Sequence, residues 1–261
     1  MWNMHIHMAS TCLHYGQEVF EGLKAFRGVD GKVRLFRVEE NAKRMINSGE
    51  YLKMAVPSVE LFTKACIEAV KLNADYIPPY GSGASLYLRP MLIGVGPQVG
   101  VKPSADYIFA VFVTPVGPYY KNGFNCIKVI IDFDHDRAAP KGTGHVKVGG
   151  NYAASLESGE IAHQKGYSSV VFLDPATKQY VDECSAANFF GIRDGKYVTP
   201  DSHSVLPSIT NKSLRQIAED LGLKVEQRKV SIDELSQFTE AGCCGTAAVI
   251  SPIGSIFNPH T

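Results

Sequence analysis

The sequence predicts an α+β protein of two domains, and three observations predict it. Strand-like runs, alternating or continuously apolar, recur along all 261 residues. Between them lie stretches with the spacing of a helix face, such as Leu61, Phe62, Ala65, Ala69, Val70 and Leu214, Ile217, Ala218, Leu221. A dense cluster of turn formers, Pro115 to Gly123, interrupts strand patterning on both sides, as a boundary between folding units does. The division is then a small α+β domain at 1–118, a linker at 119–123, and a large domain at 124–261 that carries Lys147.

Taken in order, Leu13 to Gly28 suits a strand and turn near a ligand, although core packing also explains Phe20 and Phe26. Lys32 to Arg37 alternates and reads as a strand after the Asp30-Gly31 turn. A helix over Glu39–Ser48 holds Arg44, for which a surface ion pair is the plain role. Pro57 and Ser58 start a second helix whose stripe, Leu61 to Val70, reads as core. Strands follow at Ala84–Gly94 and Asp106–Val116. In the first, Tyr87 and Arg89 are two apart and leave one face of the sheet. A buried arginine needs an anion; a protein carboxylate is the plain answer, and the adjacent tyrosine hydroxyl modestly favours a substrate carboxylate.

The second half opens on a strand, Cys126–Asp134. Tyr152–His163 reads as a helix, and Glu183 stands isolated between strand-like runs. Leu206–Gly222 is the clearest helix, with Ser208 or Thr210 as N-cap and few charges in its first turn. Its N–H groups therefore suit an anion. Ser231 and Glu234 form a capping-box pattern. Cys243–Pro252 reads as one buried strand with a close approach at Gly245-Thr246.

Composition narrows the function classes. Lys plus Arg and Asp plus Glu are 26 each, so the net charge is zero, which argues against a nucleic-acid or anionic-membrane surface. There is no apolar run of membrane length and no basic-then-apolar start, so a cytoplasmic protein is expected. Six scattered or vicinal cysteines contain no CxxC pair, which suggests reduced thiols rather than a metal site or disulfide framework. His5 and His7 lack a third ligand nearby, and Asp132, Asp134 and Asp136 lack the glycine and distal acid of a calcium loop. No metal is expected.

One stretch carries chemistry: GTGHVKVGGNY, Gly142–Tyr152, in which Lys147 sits between two glycine pairs. Glycine lets backbone approach a bulky ligand closely. The spacing fits neither a P-loop nor a dinucleotide fingerprint. A lysine in a glycine cradle, a later isolated acid, a helix N-terminus open to phosphate and an arginine together make the inventory of a pyridoxal phosphate enzyme.

Seven motifs, LHYGQEVFEGLKAF, RLFRVEENAKRM, YLRPMLIG, GTGHVKVGGNYAAS, YVDECSAANFF, LPSITNKSL and CGTAAVISPI, resemble branched-chain amino acid aminotransferases in order and spacing. The resemblance implies the two-domain fold of fold-type IV (D-amino acid aminotransferase-like) enzymes, here shortened at both ends. It implies transfer of the amino group between leucine, isoleucine or valine and 2-oxoglutarate. That reaction is the last step of branched-chain synthesis or the first of breakdown. By this resemblance Lys147 is the catalytic Schiff-base lysine. Tyr152 bonds the phenolic oxygen of pyridoxal 5′-phosphate, and Glu183 faces the ring nitrogen. Arg44, Ile209, Thr210 and Thr246 bind phosphate. Tyr87, Arg89 and the Thr246–Ala247 backbone bind substrate carboxylate, while Tyr15, Phe20, Tyr119 and Tyr152 wall the side-chain pocket. Val99 and Val101 reach a neighbouring subunit, which implies a homodimer. Ala186 replaces a polar residue of some relatives. Other fold-type IV enzymes, or a binder of the cofactor without turnover, are the rival readings.

Overall fold

The computed structural model describes residues 3–117 and 125–260. The expected linker at 119–123, and Tyr119 with it, lies outside the described residues. The chain divides into two compact units, one formed by the residues before that segment together with Val146–Gly149, the other by the remainder. The sequence places Lys147 in the large domain, whereas its segment packs with the first unit. Val148 pairs with Val19 as an isolated bridge, and Phe20 donates its N–H to the Lys147 carbonyl at 3.2 Å. Ser48 Oγ accepts the Lys147 N–H at 3.0 Å, and Val146 and Val148 are buried in that unit's core.

The first unit begins with α1 (Thr11–Tyr15), β1 (Glu18–Phe20), β2 (Leu23–Arg27) and β3 (Val33–Leu35). Then come α2 (Val38–Tyr51), α3 (Val59–Leu72), β4 (Ser85–Gly94) and β5 (Tyr107–Val116). Its five strands make one antiparallel sheet, with β5 along the whole of β4 and β1 and β2 sharing the other edge. The pleat decides the rest. Leu86, Leu88 and Leu92 face α2 and α3 in the core, so Tyr87, Arg89 and Met91 leave the opposite face. Ser58 caps α3 by accepting the Leu61 N–H at 3.1 Å. The buried line on α3 is Phe62, Cys66 and Val70, and Leu61 and Ile67 are exposed. The expected core stripe is thus too wide, because a helix laid on a sheet buries one narrow line.

The second unit holds β6 (Ile127–Asp132), α4 (Gly149–Ala154) from its second residue onward, α5 (Leu156–Gln164), β7 (Ser169–Leu173), β8 (Val181–Cys184) and β9 (Ala187–Arg193). After them come β10 (Lys196–Pro200), α6 (Ile209–Asp220), β11 (Lys224–Arg228), β12 (Glu240–Gly245) and β13 (Val249–Phe257). Eight strands run in the order β11-β10-β9-β12-β13-β6-β7-β8, and β8 also pairs with β9, which closes the sheet into a barrel. Val129, Ile131, Val171, Phe189, Val198 and Cys243 fill it.

Three expectations change here. The single helix over Tyr152–His163 is two helices that meet at Ser155. The helix at Leu206–Gly222 is confined to Ile209–Asp220, because Ser208 caps it by accepting the Asn211 N–H at 3.2 Å. Cys243–Pro252 is a hairpin, with a turn at 246–248 and Val249 in the left-handed region at φ 62°. Ser231 and Glu234 do form a capping box, over a 3-10 helix at Ile232–Gln237. Among the described residues, no helix is long and apolar enough to cross a membrane.

Candidate active site

In the first unit, chemistry collects around the ring of Phe20. The Lys147 amine stands 4.8 Å from its centroid and the Arg89 guanidinium carbon 4.7 Å, both within the range of cation–π attraction. Arg89 Nη2 donates to Tyr87 Oη at 3.0 Å. Its Nε is buried with no hydrogen-bond partner, which leaves a cationic donor needing an anion. These four residues meet on one sheet face because Tyr87 and Arg89 alternate with the buried leucines of β4. Tyr15 donates to the Val99 carbonyl, in the loop where Val99 and Val101 are more than four-fifths exposed.

Arg44, on α2, engages Glu21 side-on: Nε to Oε1 at 2.8 Å and Nη2 to Oε2 at 2.7 Å. Glu21 is fully buried and also accepts from Asn41 Nδ2 at 2.7 Å. The pair is therefore buried rather than on the surface, with the guanidinium fixed in direction.

In the second unit the centre is Glu183 on β8, 2% exposed. Arg137 Nη2 stands 2.6 Å from its Oε1. The Leu206 N–H donates to Oε1 at 3.1 Å, and Asn188 Nδ2 to Oε2 at 2.9 Å. Burial pushes the Glu183 carboxyl above the usual carboxylate range; Arg137 and these two donors pull against it. Asn188 is held in turn by Asn211 on α6, which also meets Thr199 and Tyr197. Ile209 and Thr210 open α6 with no acidic residue in its first turn, so the helix end offers partial positive charge to an anion. Thr246 and Ala247 lie in the turn between β12 and β13. Tyr152 lies on α4, its carbonyl accepting from Ser155.

These residues fit pyridoxal 5′-phosphate. The cofactor asks for a primary amine, a carboxylate for its ring nitrogen and donors for its phosphate. Taken by itself, the first unit holds the amine of Lys147 and the fixed guanidinium of Arg44. Taken by itself, the second holds a buried carboxylate braced by an arginine and a helix N-terminus clear of acids. The glycines on either side of Lys147 permit close packing, since a Cβ at Gly144 would collide with the Ser204 backbone and one at Gly149 with Glu18 Oε1.

Sequence reasoning missed Arg137, Glu21, Asn188 and Asn211. Each acts by holding another side chain, so the sequence alone gives no spacing that marks them. The one available signal was the rule that buried charges are paired, which requires partners for Arg44 and Glu183 without naming them.

Comparison with known proteins gives the family. The model of the class IV amino-transferase family matches residues 18–256. The chain is 54% identical to the branched-chain-amino-acid aminotransferase of Haemophilus influenzae, over 97% of this chain and 76% of that protein. It is 56% identical to the same-named enzyme of Helicobacter pylori, over 95% and 74%. It therefore spans about three-quarters of the length of these relatives. Among solved structures, the Escherichia coli branched-chain amino acid aminotransferase superposes with a TM-score of 0.85 at 30% identity, covering 97% of this chain and 81% of that one. Another branched-chain amino acid aminotransferase, solved with pyridoxamine 5′-phosphate, gives 0.84 at 30%, with the same coverage. With the family model matching residues 18–256 and the fold of a solved relative superposing over nearly the whole chain, this chain belongs to the class IV amino-transferase family.

Proposed function

We propose that this protein is a branched-chain-amino-acid aminotransferase, moving the amino group between L-leucine, L-isoleucine or L-valine and 2-oxoglutarate. The observation that carries the reading is the face around Phe20. There an amine, an aromatic wall, a tyrosine hydroxyl and a guanidinium with an unpartnered Nε stand within one unit. The similarity to the two bacterial enzymes supports the choice of substrate.

When bound, pyridoxal 5′-phosphate supplies an aldehyde that takes up the amino group and a ring that accepts the electron pair left at the substrate Cα. Lys147, Arg44, Tyr152, Glu183, Ile209, Thr210 and Thr246 are the residues that would hold it. Lys147 would hold the cofactor through its amine and would carry the proton of the substrate Cα. Glu183 would hold the proton on the ring nitrogen, and Arg137 favours the ionised Glu183 that this needs. Arg89, Tyr87 and the 246–247 backbone bind carboxylate, Arg89 taking the distal one of glutamate and 2-oxoglutarate, and Phe20 and Tyr15 give the branched side chain an apolar wall. Tyr119 and Tyr152 complete that wall.

The exposed Val99 and Val101 support a homodimer in which this loop meets a second copy. The two-domain division at 119–123 and a cytoplasmic location belong to the same proposal. An absorbance spectrum with and without L-leucine tests the function, together with glutamate formation from 2-oxoglutarate. The expected result is a cofactor band that L-leucine shifts and D-alanine does not. A band unmoved by L-leucine would reject the proposal.

A further inference from the structure

Glu18 is not among the residues assigned above, yet it shares the sheet face that holds Phe20 and Arg89. It opens β1 two residues before Phe20, so the two side chains leave one face of the strand. β1 pairs with β4 with Phe20 opposite Met91, and Arg89 precedes Met91 by two residues on the same face. On its other flank Glu18 accepts the Gly149 N–H. It lies so close to that backbone that a Cβ on Gly149 would collide with Oε1. One carboxylate is thus packed against the segment that carries Lys147 and shares a face with the guanidinium beside Phe20. Burial, the larger influence, raises the Glu18 carboxyl, while the Gly149 N–H and Arg89 lower it.

We infer that Glu18 is a specificity-determining positioning residue: its carboxylate moderates the hold of Arg89 on the distal carboxylate of glutamate and 2-oxoglutarate. The same face can then also take an uncharged branched side chain. The inference rests on the branched-chain reading above. A pocket used by both substrates faces a physical conflict, because an unopposed guanidinium favours the dicarboxylate and gives nothing to leucine. A fixed counter-charge narrows that gap. The contact with Gly149 serves a second end by holding the lysine segment in place.

The test is the ratio of KM for L-leucine to KM for 2-oxoglutarate in the unsubstituted holoenzyme, Glu18→Gln and Glu18→Asp. The glutamine keeps an oxygen for the Gly149 N–H and removes the charge. The ratio should rise about two- to fivefold, the range of a partly exposed charge pair. Glu18→Asp keeps the charge and should return the ratio toward that of the unsubstituted enzyme. Glu18→Ser, also uncharged, repeats the measurement if the glutamine variant does not fold. A purely structural role would lower kcat with both substrates and leave the ratio alone, and that result overturns the inference. Turnover with an unmoved ratio overturns it while the substrate reading stands. Absence of L-leucine turnover in the unsubstituted enzyme overturns both.

Discussion

Arg137 Nη2 lies 2.6 Å from Glu183 Oε1, and both side chains are buried. The guanidinium also donates to the carbonyls of Gly144 and Ser204. It therefore ties the loop before Lys147 to the acid on β8, all within the second unit. Removing one partner of a buried ion pair leaves the other charge uncompensated.

Arg137→Met should lower the stability of the cofactor-free protein at pH 7 by about 3–5 kcal/mol. The sign follows from linkage. Burial raises the Glu183 carboxyl, so the ionised form destabilises the fold above the ordinary carboxylate pKa, and more so without Arg137. The difference between variant and parent should shrink as pH falls through that raised pKa and the acid is neutralised in both. Denaturant unfolding at pH 7 and in mild acid measures it, and an equal difference at both pH values would contradict the account.

Lys147→Ala should fold, since the segment is held by backbone contacts to Phe20 and Ser48. It should lose at least about 10³-fold in transamination, the scale of a missing acid–base group. Borohydride reduction of the unsubstituted holoenzyme, followed by peptide mapping, should find the label at Lys147. A label elsewhere would remove the lysine from the mechanism.

Gly149→Ala introduces a Cβ that meets Glu18 Oε1. Either Glu18 or the backbone beyond Lys147 must shift, at a cost of about 1–3 kcal/mol. Thermal melting should show that loss, and kcat should fall more than the melting temperature alone explains. Unchanged kinetics would mean that Glu18 yields without moving the lysine segment.

Acid should act on the outer strands through Glu226 on β11. Lys196, Lys224 and Arg228 hold its carboxyl down to about 2. A lowered folded-state pKa stabilises above the ordinary carboxylate value, and that contribution fades as pH falls toward about 2. Glu226→Gln should be less stable than the parent near neutrality and converge with it in strong acid. The shift in acid-unfolding midpoint measures this.

The strands at Ser85–Gly94 and Tyr107–Val116 were legible because their apolar patterning is local. So were the Ser58 and Ser208 caps, since a cap needs only its own first turn. The seven motifs carried the resemblance, and with it the candidates Lys147 and Glu183, for the same reason, being short fixed strings. The hairpin at 246–248 was not legible, because cysteine, glycine and alanine serve strand and turn alike.

The sequence by itself determined the family and singled out Lys147 and Glu183 as candidates for its chemistry. Tertiary structure alone decided what stands beside them. Arg137 and Glu183 are 46 residues apart in sequence, and Arg44 and Glu21 meet across 23. Nor did periodicity reveal that Val146–Gly149 packs with the first unit. Burial makes a charge require a partner, but which partner depends on how sheet and helix bring distant residues together, and no local pattern encodes that.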